Sequence, residues 1–189
     1  MTTIAVDAMG GDHAPHEIVH GAVLAARDFG VSIQLIGPED LIRHELKKHY
    51  TELLPIEVIP AEDVIEMAEK QPASAVRKKP NSSIAVAMNQ VATGKASGVV
   101  AAGSTGAAAA AALFILKRIE GIERPCIAAV IPTHMKPVIL ADAGANVDAT
   151  PEHIFQNAMM GSALSKALFK IDRPRVGLLN IGEEPGKGS

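Results

Sequence analysis

Short apolar runs that end at Gly, Pro, Asp or Asn alternate along this chain with longer stretches of helical period. The runs Ile4 to Val6, Ser32 to Ile36, Ile56 to Ile59, Val99 to Ala102, Ile127 to Ile131, Val138 to Ala141 and Val176 to Leu179 predict strands. Between them, Ile18, Val19, Ala22, Val23 and Ala26 form one helical stripe, closed by Gly30. Ile84, Ala87, Met88 and Val91 form a second, and Ile154, Phe155, Ala158 and Met159 open a third. Gln71 to Ser83 reads as an irregular segment holding a short helix. This alternation predicts one α/β domain over residues 1–189, with a mostly parallel sheet. "PTHMK", between the strands ending at Ile131 and starting at Val138, is too short for a parallel crossover, so that pair should run antiparallel and make the sheet mixed. After Leu179 the chain runs "NIGEEPGKGS" with no helix to cover the last strand, so the domain is expected to be incomplete at its C-terminus.

The longest uncharged stretch, Ala96 to Leu116, has 21 residues and is long enough to cross a bilayer. Its middle is Gly103-Ser104-Thr105-Gly106 and most of the rest is alanine. A strand to Ala102, a tight turn and a helix from Ala107 to Arg118 fit it better, because a strand and turn in lipid would leave backbone polar groups unsatisfied. Apolar residues make up 48% of the chain, with four Phe, one Tyr and no Trp, so the core must be aliphatic. With so few aromatic platforms and a net charge of −3, no nucleic-acid partner is expected. One cysteine, Cys126, permits no internal disulfide. The opening "MTTIAVDAMGGDHAP" has no Lys or Arg and carries Asp7 where an export signal is apolar, which leads to an expected cytoplasmic location.

Several stretches have the composition of a site. Ser104, Thr105 and Gly106 open a helix, where first-turn N–H groups can hold phosphate or a hydroxyl can simply cap. "VDAMGGDHAPHE" places Asp12 and His13 beyond the first strand, where open α/β sheets hold ligands; an Asp and a His bracing a turn is the plainer alternative. His16 and His20 lie one helical turn apart near His13, but no downstream cluster completes a ligand set, and no metal is expected. "RKKPNSS" sets Arg77, Lys78 and Lys79 before Ser82 and Ser83, as either a phosphate site or a solvated basic face. Asp142, Asn146 and Asp148 in "DAGANVD" are polar site groups or turn formers. "GEEPGKGS" is not a P-loop: Gly182 and Gly186 enclose three residues where four are needed, and Glu183 and Glu184 would repel phosphate. It does put Lys187 in a glycine loop near Asn180 and Glu183.

Taken in order, "VDAMGGDHAP", "RKKPNSSIAVAMNQVATGKA", "AAGSTGA", "LADAGANVD" and "GLLNIGEEPGKG" resemble the acyl-carrier-protein-dependent phosphate acyltransferases of bacterial phospholipid synthesis. The resemblance spans all 189 residues; Ser104 stands where that family often has Asn, and its members run to roughly twice the length of a single domain. It implies the reaction of acyl-acyl carrier protein with inorganic phosphate to give acyl phosphate, with no cofactor. It also implies a three-layer αβα fold like that of isocitrate and isopropylmalate dehydrogenases, a homodimer, and peripheral membrane association through the part that follows this chain. Placed in that reaction, Ser82, Ser83, Ser104, Thr105 and Gly106 would hold phosphate, with Arg77 and Lys79 adding charge. Lys187 would neutralise the transition state, Asp12 and His13 would orient phosphate or move a proton, and Asn180, Glu183, Asp142, Asn146 and Asp148 would complete the polar site. A nicotinamide-dependent dehydrogenase of the same fold and a non-catalytic carrier-binding module are the alternatives.

Overall fold

The computed structural model describes residues 1–146 and 148–180, and the chain divides into two compact units, Met1–Lys117 and Arg118–Ser189. The first unit runs β1 (Thr3–Asp7), α1 (His16–Phe29), β2 (Ser32–Gly37), α2 (Glu39–Leu46), β3 (Ile56–Pro60), α3 (Pro72–Lys78), α4 (Ser83–Ala92), β4 (Gly98–Ala101) and α5 (Thr105–Ala111). A π-helical turn, Ala112–Leu116, continues α5. The four strands are parallel, in the order β3-β2-β1-β4.

Residue alternation puts helices on both faces of this sheet. Val6, Ile33 and Leu35 pack with Val19, Ala22 and Ala26 of α1 and Ile42 of α2. Ala5 and Ile36 point the other way, against Ala87 of α4. Leu35 and Ile36 are fully buried, and side chains of that size contribute about 1.5–3 kcal/mol each on burial. The near-continuous burial of β2 is that of a parallel strand covered on both sides. The predicted stripe of α1 is its buried face, and Gly30 ends the helix in the left-handed region at φ 62°, donating its N–H to the Ala26 carbonyl. The helix predicted from Ala107 to Arg118 instead begins at Thr105 and ends at Leu116; Lys117, at φ 69°, breaks it and leaves Arg118 outside.

The second unit holds β5 (Ala128–Ile131), β6 (Val138–Ala141) and α6 (Pro151–Phe169). β5 and β6 run antiparallel, as the short connection requires, and form a separate two-stranded sheet. Thr133 ties their connection by donating its hydroxyl to the Lys136 carbonyl at 2.7 Å. α6 starts at a capping box in which Thr150 and His153 satisfy each other's backbone N–H, followed by Pro151 in the first turn. One predicted strand is absent: Val176 to Leu179 has no regular structure, and Val176, Leu178 and Leu179 are 61–80% exposed. Strand propensity takes effect only against a paired edge, and none of the described strands pairs with this segment.

Candidate functional site

In the first unit the chain leaves β1 toward β2 on one side and returns to β4 on the other, so the loops after β1 and β4 diverge at a topological switch point. That crevice, beyond the carboxyl ends of the strands, is where open α/β sheets bind ligands. Here the two loops meet backbone to backbone. A Cβ on Gly10 would stand 2.6 Å from the Gly103 amide nitrogen and 3.1 Å from Asp7 Oδ2, so only glycine permits the approach. Gly11, at φ 113°, then turns the loop toward α1.

Asp7 ends β1, paired to Ile36 on one side and Ala101 on the other, and is 5% exposed. Burial pushes its carboxyl above the ordinary carboxylate range, although hydrogen bonds from the Ser83 side chain and the Met9 N–H favour the ionised form. Asp7, Ile84, Gly103, Ser104 and Ala107 line a cavity of ≈ 10 Å³, about the lower limit for one water. Asp7 is the functional candidate that sequence reasoning missed. Its signal was present: a carboxylate closing an otherwise apolar strand immediately before Met9-Gly10-Gly11.

The predicted residues of this unit fall into three groups. Ser83 is buried at the head of α4 beside Asp7, while Ser82, fully buried one residue earlier, has a hydroxyl with no partner. Ser104 caps α5, its Oγ accepting the Ala107 N–H at 3.4 Å, and Thr105 and Gly106 follow it in the first turn. Gly106 packs against Pro72 of α3, where a Cβ would come within 2.9 Å. The cations are engaged elsewhere: the Arg77 guanidinium lies 4.4 Å over the Phe114 ring, and Lys79 Nζ donates to the Val64 carbonyl at 2.8 Å. Asp12 and His13 are exposed in the turn before α1. His16 bonds Glu45, and His20 stacks on His49 with ring centroids 5.3 Å apart.

In the second unit Asp142 organises the turn after β6. Its carboxylate accepts N–H bonds from Ile127, Ala145 and Asn146 and one from the Asn146 side chain, which also donates to the Pro125 carbonyl. Burial works against ionisation of Asp142, but these bonds outweigh it and hold the carboxyl below its ordinary range. Burial, with the Asp142 charge beside it, pushes the Cys126 thiol up, away from the reactive thiolate. Asp148 is exposed, and its carbonyl accepts from Arg124 at 3.5 Å. A groove of ≈ 720 Å³ runs between β6, α6 and Ile171–Leu179, with Asp142, Arg173 and Arg175 in its lining. Asn180 is exposed; Glu183 and Lys187 lie outside the described residues.

Among the described residues, no helix is long and apolar enough to cross a membrane. Residues 2–189 match the family model described as "Fatty acid synthesis protein". The chain is 50% identical over 190 residues to a phosphate acyltransferase from Trichodesmium erythraeum, covering 100% of this chain and 55% of that protein. It is 53% identical over 186 residues to one from Pelotomaculum thermopropionicum, covering 98% and 54%. It thus spans about half the length of the curated relatives it matches. Its fold is that of the EutD phosphotransacetylase from Staphylococcus aureus, with a TM-score of 0.64 at 22% identity over 90% of this chain and 54% of that one. A phosphotransacetylase from Streptococcus pyogenes gives the same TM-score at 19% identity, over 90% and 55%.

Proposed function

This chain belongs to the fatty acid synthesis protein family, and on that premise we propose that the protein transfers the acyl group of an acyl-acyl carrier protein thioester to inorganic phosphate. The observation that carries this reading is similarity, at about half identity, over nearly all of this chain and about half the length of proteins named phosphate acyltransferase. The switch point is compatible with it: the turn after Gly103 opens α5, whose first-turn backbone N–H groups are of the kind that receive an anion.

A phosphate oxygen attacks the thioester carbonyl, the C–O bond forms, the C–S bond breaks, and the carrier thiolate leaves, taking a proton where it needs one. The barrier is lowered by holding phosphate partly desolvated and by donors aimed at the developing oxyanion. In this reading the turn Gly103 to Gly106 and the start of α4 at Ser82 and Ser83 receive phosphate. Arg77 and Lys79 supply positive potential nearby, and Asp12 and His13, both exposed, orient phosphate or carry the proton. For Lys187 the same reading keeps the role of offsetting transition-state charge, and for Asn180, Glu183, Asp142, Asn146 and Asp148 that of polar substrate contacts; all six belong to the second unit. The finer fold, a three-layer αβα arrangement of the isocitrate dehydrogenase kind, belongs to the same proposal. So do a homodimer, peripheral membrane association and a cytoplasmic location.

The test is release of free thiol from acyl-acyl carrier protein with and without phosphate, in the full-length protein. Phosphate-dependent release with matching formation of acyl phosphate is expected. Release at the same rate without phosphate, or no release, would overturn the reading.

A further inference from the structure

We propose that Asp7 is the positioning residue of the switch point, holding the loop after β1, the turn after β4 and the head of α4 in the one arrangement that receives phosphate. This rests on the phosphate acyltransferase reading and names a residue of that same site.

Three segments converge on one carboxyl. The Met9 N–H donates to Oδ1 at 3.2 Å, fixing the first step of the loop after β1. Ser83, the first residue of α4, is buried with its side chain beside the same group. Oδ2 faces Gly10 at the point where Gly10 meets Gly103, so the carboxyl backs the contact between the two loops. A shift of Asp7 therefore reaches the first step of the loop after β1, the Gly10–Gly103 contact and the head of α4.

The fold itself does not call for an acid here. None of the ion pairs among the described residues includes Asp7. A carboxyl buried without a cation costs free energy that a neutral side chain of the same shape would not. Residues that oppose stability locally and stay consistent with a site are the expected mark of function. Asp7 also acts without touching phosphate. It is 5% exposed, and the cavity it lines is of single-water size, too small for the anion.

The experiment compares wild type, Asp7→Asn and Ser83→Ala in the full-length protein. It measures KM for phosphate, KM for acyl carrier, kcat, the calorimetric Kd for inorganic phosphate, and melting at pH 7. Asp7→Asn should raise KM and Kd for phosphate by about tenfold to a hundredfold, the scale of a small misplacement of binding groups. KM for acyl carrier should stay put, and melting should be no lower than wild type. Ser83→Ala should move the phosphate constants in the same direction by less. An unchanged phosphate Kd in folded Asp7→Asn would overturn the inference, as would proportional loss of both KM values with lowered melting, the signature of a merely structural residue. If Asp7→Asn does not fold, Asp7→Glu, which keeps the acid but shifts it by one methylene, decides by the same criteria. If wild type releases no thiol, the acyltransferase reading fails, while the phosphate Kd of wild type against Asp7→Asn still decides on Asp7; a wild type that binds no phosphate overturns it.

Discussion

Gly10 and Gly103, ninety-odd residues apart in sequence, pack so closely that a Cβ on either would stand within 3.0 Å of the other's backbone. The contact joins the loops after β1 and β4 at the switch point. Backbone cannot yield as a flexible side chain can, so Gly10→Ala should cost about 1–3 kcal/mol, the range for overpacking. Gly21→Ala is the matched comparison, because Gly21 lies within α1 and a Cβ there meets nothing within 4 Å. That change should stabilise by about 0.5–1 kcal/mol. Urea midpoints of the two variants should therefore move in opposite directions, and equal shifts would refute the close-contact account.

Asp142 should make the second unit acid-sensitive. Its carboxyl is depressed below 3.8 in the folded chain and returns to an ordinary value on unfolding. The unfolded form then binds the proton more readily, so the stabilisation is present above about pH 4 and is lost as pH falls through the folded value. Asp142→Asn removes that linkage. The stability difference between wild type and Asp142→Asn should shrink steadily between pH 5 and 2, and a constant difference would show that the carboxylate charge does not matter.

How much of this was legible in the sequence depends on whether local or distant partners decide. α1 could be read because its stripe and Gly30 are both local, and the antiparallel β5–β6 pair because "PTHMK" allows nothing else. Val176 to Leu179 could not, since strand formation depends on a neighbouring edge that composition does not reveal. Asp142 and Asn146 offered two roles, and the turn-building one rests on hydrogen bonds to Ile127 and Pro125 that spacing alone does not reveal. Gly103 read as an ordinary turn glycine because its partner, Gly10, is brought to it by strand order alone. Asp7 is hidden in the sequence for the same reason: what distinguishes it is burial between β2 and β4 and the approach of Ser83 from α4.

The basic run at Arg77 to Lys79 separates by what each side chain already does. Arg77 lies over Phe114 and Lys79 holds the Val64 carbonyl, while Lys78 is exposed and appears in none of the ion pairs or side-chain hydrogen bonds among the described residues. Lys78→Glu should therefore leave melting unchanged, yet weaken binding of an acidic carrier protein and reduce its salt dependence. Arg77→Glu should add a loss of stability from the broken ring contact, about 0.5–1 kcal/mol for a cation over an aromatic at an exposed site. A rise in KM for phosphate alone, with carrier binding intact, would move the run from docking to the phosphate site.

Ser104 carries a measurable competition between capping and anion binding. Its Oγ takes the Ala107 N–H at 3.4 Å, a long bond for a cap. Ser104→Ala removes that acceptor and should cost about 1 kcal/mol, the usual value for a lost N-cap. Ser104→Asn keeps an oxygen of similar reach, and Asn caps as well as Ser, so its melting should match wild type. The two variants together isolate the second role. If Ser104 only caps, KM for phosphate follows stability, unchanged in Asn and little changed in Ala once both are assayed well below their melting temperatures. If the side chain also contacts phosphate, Ser104→Ala should raise KM for phosphate several-fold at temperatures where it is fully folded, and Ser104→Asn should restore it. KM values that stay at the wild-type level in both variants would confine Ser104 to the cap and leave the backbone of Gly103 to Gly106 as the part of this turn proposed to meet the anion.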